Sequence, residues 1–80
     1  MPFVYILKSI KDGRYYYGSR KDLSRRLKAH NAGKVKSTKS RRPLVLHYFE
    51  EYEVINGARK REIYFKKIDG YNWLKKEGII

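Results

Sequence analysis

The chain has 80 residues, no cysteine and a formal net charge of +12, from 20 Lys and Arg against 8 Asp and Glu. This length suits one small domain, and a chain without cysteine excludes disulfides and cysteine-ligated metals. The apolar runs are too short to span a membrane and the start lacks the features of a signal peptide, so we expect a single cytoplasmic domain over residues 1–80. So one-sided a charge favours nucleic acid as the partner, the alternative being a basic face that only aids solubility.

The first twenty residues predict a β-hairpin. Residues 3–9 are β-prone and mostly apolar, as in a buried strand. The Asp-Gly pair at 12–13 is a strong hairpin-turn signal, and residues 15–19 would form the returning strand. Gly18 in that strand would mark a turn or a point where a ligand approaches the backbone closely.

A helix and a basic loop are predicted next. Asp22 can cap a helix that runs from about Leu23 to Ala32. Gly33 follows at the position where a left-handed residue commonly ends a helix. Residues 33–42 hold five basic residues with Ser and Thr between them, which indicates a mobile loop that ends at Pro43.

The second half of the chain predicts one strand and two helices. Residues 44–51 read as the third strand, and Asn56 could cap a helix that reaches about Ile68 and stops at Asp69-Gly70. Residues 71–76 could form a last short helix. The resulting order, β-β-α-β-α-(α), predicts an α+β fold with a small mixed or antiparallel three-stranded sheet flanked by helices.

Four residues of the first helix share one face by their spacing: Leu23, Arg26, Leu27 and His30. Two of them are apolar, so this face should pack inward, while Arg25 and Lys28 should point away. An inward arginine needs an anionic partner, so Arg26 would face a carboxylate or a cleft that admits phosphate. The alternatives are that the Arg26 side chain extends past this apolar face to water, and that His30 is an ordinary buried histidine without a catalytic role.

Two tyrosines and one acid complete the set of candidate residues. Tyr5 and Tyr16 lie on the paired strands and can approach each other across the ladder or diagonally, although each could simply be a core aromatic. If Tyr16 faces a cleft, its phenol could accept a proton from water. Glu62 falls at the edge of the packed side of the second helix, where it could either pair with a base or bind a cation. His47 is out of step with these residues and should be structural or exposed.

An ordered set of segments resembles the GIY-YIG nuclease superfamily, and within it the short single-domain bacterial proteins similar to the N-terminal domain of an excision nuclease. The tripeptides Phe3-Val4-Tyr5 and Tyr16-Tyr17-Gly18 stand for the two that name the family. Residues 18–31 look like the family's helix. The short proteins' own pattern appears at 33–38, at 42–44 and at 58–62.

The resemblance implies roles for these residues by position. Tyr5 and Tyr16 would be the active-site tyrosines, with Tyr16 the general base or water orienter, and Arg26 would hold the scissile phosphate. His30 occupies a place where some members use histidine in catalysis. Glu62 would bind one divalent cation, Mg²⁺ or Mn²⁺. Asn72 is a candidate for the asparagine that many members carry late in the domain.

The expected function is therefore metal-dependent hydrolysis of phosphodiester bonds, most readily of DNA, in repair or recombination. Seven further basic residues are expected to bind nucleic acid: Arg20, Lys21, Lys34, Lys36, Lys39, Arg41 and Arg42. The alternative is a basic nucleic-acid-binding module that keeps the nuclease fold without catalysis. A third interpretation is a subunit that a protein partner directs to its DNA.

Overall fold

Three strands and three helices make up the computed structural model, which describes residues 1–80. The strands are β1 (Phe3–Ser9), β2 (Tyr15–Arg20) and β3 (Leu44–Glu51). The helices are α1 (Leu23–Asn31), α2 (Ile55–Phe65) and α3 (Ile68–Lys76). This order and the α+β class confirm the prediction. None of the helices combines the length and the apolar character that crossing a bilayer requires.

The sheet is antiparallel, with the order β2-β1-β3, so β1 is central and β2 has a free edge. Helices cover both faces, which explains why β1 reads as an almost continuous apolar run. One face packs against α2 and α3 around a buried cluster: Val4, Ile6, Ala58, Phe65 and Leu74. The other face packs against α1 around a second cluster: Tyr5, Leu7, Leu23 and Leu44. The two faces of β1 therefore belong to two separate cores.

Helix α1 begins and ends as its sequence predicts. The Asp22 carboxylate accepts a hydrogen bond from the Arg25 backbone N–H at 3.0 Å, which satisfies one of the free donors of the first turn. After the helix, Gly33 has φ +77°, a conformation that glycine adopts without a steric penalty. These two ends position the side chains of α1 over the sheet.

Residues 33–42 are anchored to the rest of the fold, unlike the mobile loop that their composition predicts. Val35 and Thr38 are buried, and a single turn of 3₁₀ helix spans Lys39–Arg41. The Ser9 hydroxyl donates a hydrogen bond of 2.6 Å to the Arg41 carbonyl, which fastens the segment to the end of β1. Polar residues that bond inward, as Thr38 does, give no apolar pattern by which this anchoring could be predicted.

The boundaries of α2 differ from the prediction. Val54 stands at the N-cap position in place of Asn56, and the helix ends at Phe65 and not near Ile68. Ile68 is 71% exposed at the start of α3, so it does not belong to the packed side of α2. The chain turns at Lys66 and Lys67, which lets α3 fold back onto α2.

Asp69-Gly70, predicted to stop a helix, lies inside α3. A Cβ atom at Gly70 would overlap the carbonyl oxygen of Tyr64 in α2. The glycine therefore permits the two helices to approach closely, and Asp69 sits in the first turn of α3, where the helix dipole favours a negative charge. In the sequence alone, an Asp-Gly pair that serves helix packing cannot be distinguished from one that forms a turn.

Candidate active site

A cleft of about 520 Å³ opens at the free edge of β2, between α1 and α2. Five cationic side chains line it: Arg20, Lys21, Arg25, Arg26 and Arg59. The only acid among the lining residues is Asp22, which caps α1. All three ion pairs of the chain involve other Lys and Arg residues, so none of these five side chains is paired with a carboxylate. The cleft is consequently strongly positive and suited to a phosphate backbone.

Arg26 projects from α1 into this cleft with unmet hydrogen-bonding capacity. Its side chain is half-buried, its Nε atom is buried without a hydrogen-bond partner, and no carboxylate pairs with it. A buried guanidinium donor without a partner is unfavourable, so the site as it stands favours an incoming anion. The sequence predicts that Arg26 faces either a carboxylate or a cleft that admits phosphate. In the structure it faces the cleft.

Tyr5 lies under the cleft, on the α1 side of the sheet. It is 1% exposed, and its ring crosses β2 directly over Gly18, where a Cβ atom would overlap the phenol hydroxyl. Gly18 therefore makes room for a tyrosine and not for a ligand, which corrects the expectation. Burial raises the pKa of the Tyr5 phenol above its ordinary value of 10.0, although the neighbouring Arg26 guanidinium lowers it in part. Tyr5 is a neutral phenol at physiological pH.

Tyr16 is the more accessible of the two tyrosines. Because Tyr5 pairs with Gly18 across the ladder, Tyr16 lies diagonally to it, and the ring centroids are 6.5 Å apart. Tyr16 is half-buried, and its ring packs edge-on against the imidazole of His30 at 4.9 Å. The phenols therefore form a pair in which Tyr5 is enclosed and Tyr16 is half-buried.

His30 is enclosed between the two tyrosines and the loop after α1. It is 0% exposed, its Nε2 atom lies 3.4 Å from the Tyr5 hydroxyl, and its Nδ1 atom lies 2.7 Å from the Thr38 hydroxyl. Burial, with the nearby charges of Arg26 and Arg20, lowers the pKa of His30 from 6.5 to about 4. The imidazole is therefore neutral at pH 7. Because it is fully buried, it can act on a substrate only indirectly, by positioning the residues that it contacts.

This burial predicts a measurable pH dependence of stability. Between pH 6.5 and about pH 4 the unfolded chain binds a proton at His30 that the folded chain does not, so stability is complete above this window and falls as the pH falls. When the pH is lowered from about 7 to about 4.5, we expect His30 to lower the free energy of unfolding by about 2 kcal/mol. Urea unfolding of the wild type and of His30→Gln at both pH values isolates this contribution, because the carboxylates are common to both. Equal losses in the two proteins would contradict a buried neutral His30.

Glu62 approaches the same region from the other face of the sheet. It lies on α2, where its Oε1 atom accepts a hydrogen bond of 2.6 Å from the Ser19 hydroxyl and its Oε2 atom pairs with Lys66 Nζ at 2.8 Å. Ser19 lines the cleft and follows Gly18, over which the Tyr5 phenol lies. The carboxylate and the phenol thus reach neighbouring points of β2 from opposite faces of the sheet, and neither residue is among those that line the cleft.

The donor atoms at Glu62 fit a magnesium-like cation held by one carboxylate. No group of three or more His, Cys, Asp or Glu side chains lies together, so a fully protein-ligated metal site is not available. Magnesium commonly binds one or two carboxylates and completes its shell with water and phosphate oxygens. Glu62 retains 21% exposure of its side chain, and the Lys66 ammonium that a cation would displace from it is 54% exposed.

The basic residues predicted to bind nucleic acid do not share one surface. Arg20 and Lys21 line the cleft at the start of α1. Lys39 and Arg42, with Lys11, line a second depression of about 570 Å³ at the other end of the helix. Lys34 and Lys36 are exposed between them on the loop.

Arg41 has a structural environment. Its Nε atom lies 3.4 Å from an Asp12 carboxylate oxygen, and its Nη2 atom donates to the Tyr15 carbonyl at 3.4 Å. These contacts join the loop to the turn and to the start of β2. Among the predicted nucleic-acid contacts, Arg41 is the one whose side chain lies within ion-pair distance of a carboxylate, and Arg42 also donates from Nε to the Lys39 carbonyl at 2.8 Å.

Two arginines of the cleft were missed by reasoning from the sequence. Arg25, predicted to point away, lines the cleft because the cleft wraps around the start of α1. Arg59 lines it from α2, one helical turn before Glu62, and that spacing is the signal that could have identified it. By contrast, Asn72 is an exposed residue of α3 that is not among the lining residues. His47 is exposed, as predicted, and hydrogen-bonds the Ile79 carbonyl.

Comparison with known proteins agrees with the resemblance found in the sequence. A family model described as the GIY-YIG catalytic domain matches residues 1–73. A UPF0213 protein of Listeria welshimeri is 44% identical over 71 residues, which cover 88% of this chain and 78% of that protein. A UPF0213 protein of Staphylococcus aureus is 48% identical over 65 residues, 80% of this chain and 78% of that protein.

A solved structure supports the same assignment. The solution NMR structure of a UPF0213 protein from Bacillus halodurans is similar with a TM-score of 0.54 and 32% identity, covering 95% of this chain and 84% of that chain. The family match extends over almost the whole chain and includes both tyrosine tripeptides, so the domain is of the nuclease type. The chain belongs to the GIY-YIG family.

Proposed function

We propose that this protein is a metal-dependent endonuclease that hydrolyses phosphodiester bonds of DNA by water attack, with one Mg²⁺ or Mn²⁺, in repair or recombination. One observation carries the proposal: the Arg26 guanidinium, whose buried Nε atom has no hydrogen-bond partner, lies in a cleft lined by cations, beside the buried phenol of Tyr5. A general basic surface would need neither an inward arginine nor enclosed phenols. A site for a reacting phosphate uses both.

Arg26 is the residue for the scissile phosphate. Its planar group can donate two parallel hydrogen bonds to two oxygens of one phosphate, which fixes the orientation of the group as well as its charge. The four other cations of the cleft would draw the backbone in and align it. All four are exposed, so their contribution is to binding more than to the reacting centre.

Tyr16 is the residue for the attacking water. As the half-buried phenol of the pair, it would orient the attacking water. To accept the water's proton as the oxygen attacks phosphorus, Tyr16 must act as a phenolate that has first released its own proton to solvent. Tyr5, raised in pKa and enclosed, remains protonated and serves to shape the floor of the site. The two tyrosines therefore have different tasks because their burial differs.

Glu62 would hold the cation, with the Ser19 hydroxyl steadying its carboxylate from the cleft side. A divalent cation bound there supplies charge stabilisation to the phosphate and the leaving oxygen. Lys66 must give up Oε2 for such binding, which its exposure allows.

The test is cleavage of defined DNA by the purified protein. Nicked, branched and single-stranded DNA are incubated with Mg²⁺, with Mn²⁺, and with a chelator. We expect cleavage that requires the cation, and cleavage that returns when the cation is restored after chelation. Cleavage unchanged by the chelator would contradict the metal-dependent mechanism.

The second candidate is a nucleic-acid-binding module without catalysis, favoured by one observation: both carboxylate oxygens of Glu62 already have protein partners. Both candidates predict DNA binding that weakens with salt, with a log–log slope of about −0.9 per neutralised phosphate. Binding alone therefore does not separate them. Tight binding without cleavage of any of the three DNA forms, under both cations, would favour the second candidate or a protein that needs a partner for targeting.

A further inference from the structure

The Thr38 hydroxyl connects the basic loop to the enclosed part of the site. Thr38 and His30 are both 0% exposed, and the hydroxyl oxygen lies 2.7 Å from His30 Nδ1. The same hydroxyl lies 3.4 Å from the Val35 carbonyl, to which it can donate. The contact joins two residues eight positions apart and fixes the loop to the imidazole that lies against both phenols.

The positions of the protons follow from counting donors and acceptors. Arg26 has only donors, so the Tyr5 oxygen can only accept from it. The Tyr5 proton therefore needs an acceptor of its own, and His30 Nε2, at 3.4 Å, is the hydrogen-bond partner that the Tyr5 hydroxyl has. If Nε2 carried the proton instead, a buried phenol proton would have no acceptor, which is unfavourable.

We propose that Thr38 is a positioning residue of the site: it accepts a hydrogen bond from His30 Nδ1–H, and so keeps Nε2 unprotonated to accept the Tyr5 hydroxyl. In this arrangement every polar group of the series is satisfied. Tyr5 O–H donates to His30 Nε2, His30 Nδ1–H donates to Thr38, and Thr38 O–H donates to the Val35 carbonyl. The tautomer of a buried neutral imidazole is set by the partner of its other nitrogen, and here that partner is on the loop.

The proposal gives the loop a role at the site besides its charge. With its proton directed to His30, the Tyr5 hydroxyl presents its remaining lone pair toward Arg26, which steadies the guanidinium for an anion. The same imidazole packs against the ring of Tyr16 with a centroid distance of 4.9 Å. A displacement of Thr38 would therefore move His30 relative to both phenols. This consequence for catalysis rests on the proposed function, whereas the hydrogen-bond arrangement does not.

The first test is NMR of the ¹⁵N-labelled full chain without ligand. In the wild type we expect His30 to show a protonated Nδ1 and an unprotonated Nε2 at pH 7. Thr38→Val removes the acceptor and should shift the proton to Nε2 in part or all of the molecules, whereas Thr38→Ser should keep the wild-type pattern. A wild type protonated at Nε2, or an unchanged pattern in Thr38→Val, would overturn the proposal.

The second test is the rate of DNA cleavage. We expect Thr38→Val to lower kcat about tenfold with little change in KM, and Thr38→Ser to restore most of the rate. If Thr38→Val does not fold, the wild-type and Thr38→Ser spectra still decide the tautomer. A wild type that cleaves no DNA would count against the proposed nuclease function and would leave the spectroscopic result standing as its own test. Equal rates in active Thr38→Val and wild type would overturn the catalytic role of the contact.

Discussion

Replacing Glu62 with glutamine should lower the rate of DNA cleavage by about 100-fold or more, because a cation that contributes about 3 kcal/mol to the transition state is no longer held. Glutamine keeps the shape of the side chain and an oxygen that can accept from the Ser19 hydroxyl. It lacks the negative charge that a divalent cation needs. The measurement is single-turnover cleavage over a range of Mn²⁺ concentrations.

The matched control is Lys66→Ala. The Lys66 ammonium occupies Oε2 of Glu62 at 2.8 Å, so its removal should free the carboxylate and lower the Mn²⁺ concentration needed for half-maximal cleavage. If Glu62 served only as an ion-pair partner, the two variants would instead lose activity together. Cleavage by Glu62→Gln at the wild-type rate would reveal a contaminating nuclease and remove the proposed metal site.

Replacing Arg26 with lysine should lower kcat/KM by about 100- to 1000-fold, although the charge is kept. Lysine offers a flexible point charge in place of a rigid fork, so it cannot hold two oxygens of the reacting phosphate. It also leaves the Tyr5 hydroxyl without the guanidinium that lies beside it. Steady-state cleavage of the preferred DNA, with thermal unfolding to verify the fold, measures this effect.

Arg25→Lys is the control for that variant, because Arg25 is the adjacent arginine of the same helix and lines the same cleft. It is exposed and without contact to the phenols, so we expect its replacement to change kcat/KM by less than about tenfold. Similar losses in both variants would mean that the cleft only attracts the backbone. The special role of Arg26 would then be wrong.

Much of the fold follows from local signals in the chain. The Asp-Gly turn, the Asp22 cap and the left-handed Gly33 each depend on contacts within a few residues, and all three are present as predicted. The boundaries after Glu51 follow local rules less well. Glycine is required at position 70 because the Tyr64 carbonyl of the neighbouring helix leaves no room for a Cβ atom. No pattern within α3 indicates this contact.

For the candidate site, the sequence by itself determined which residue types are present and which of them share a helix face, such as Arg26 and His30. Helical spacing is a local property, so it can be derived from the order of residues. The family resemblance extended this to Tyr5, Tyr16 and Glu62.

Only the tertiary structure decided how these residues meet. It placed the cleft at the edge of β2 and brought Arg59 into its lining from α2. It also joined Glu62 to the Ser19 hydroxyl and Thr38 to His30. It also decided which tyrosine is enclosed, since that depends on Gly18 leaving room for the ring of Tyr5. Such contacts arise when segments distant along the chain pack together, and their geometry depends on the whole core and not on any one segment.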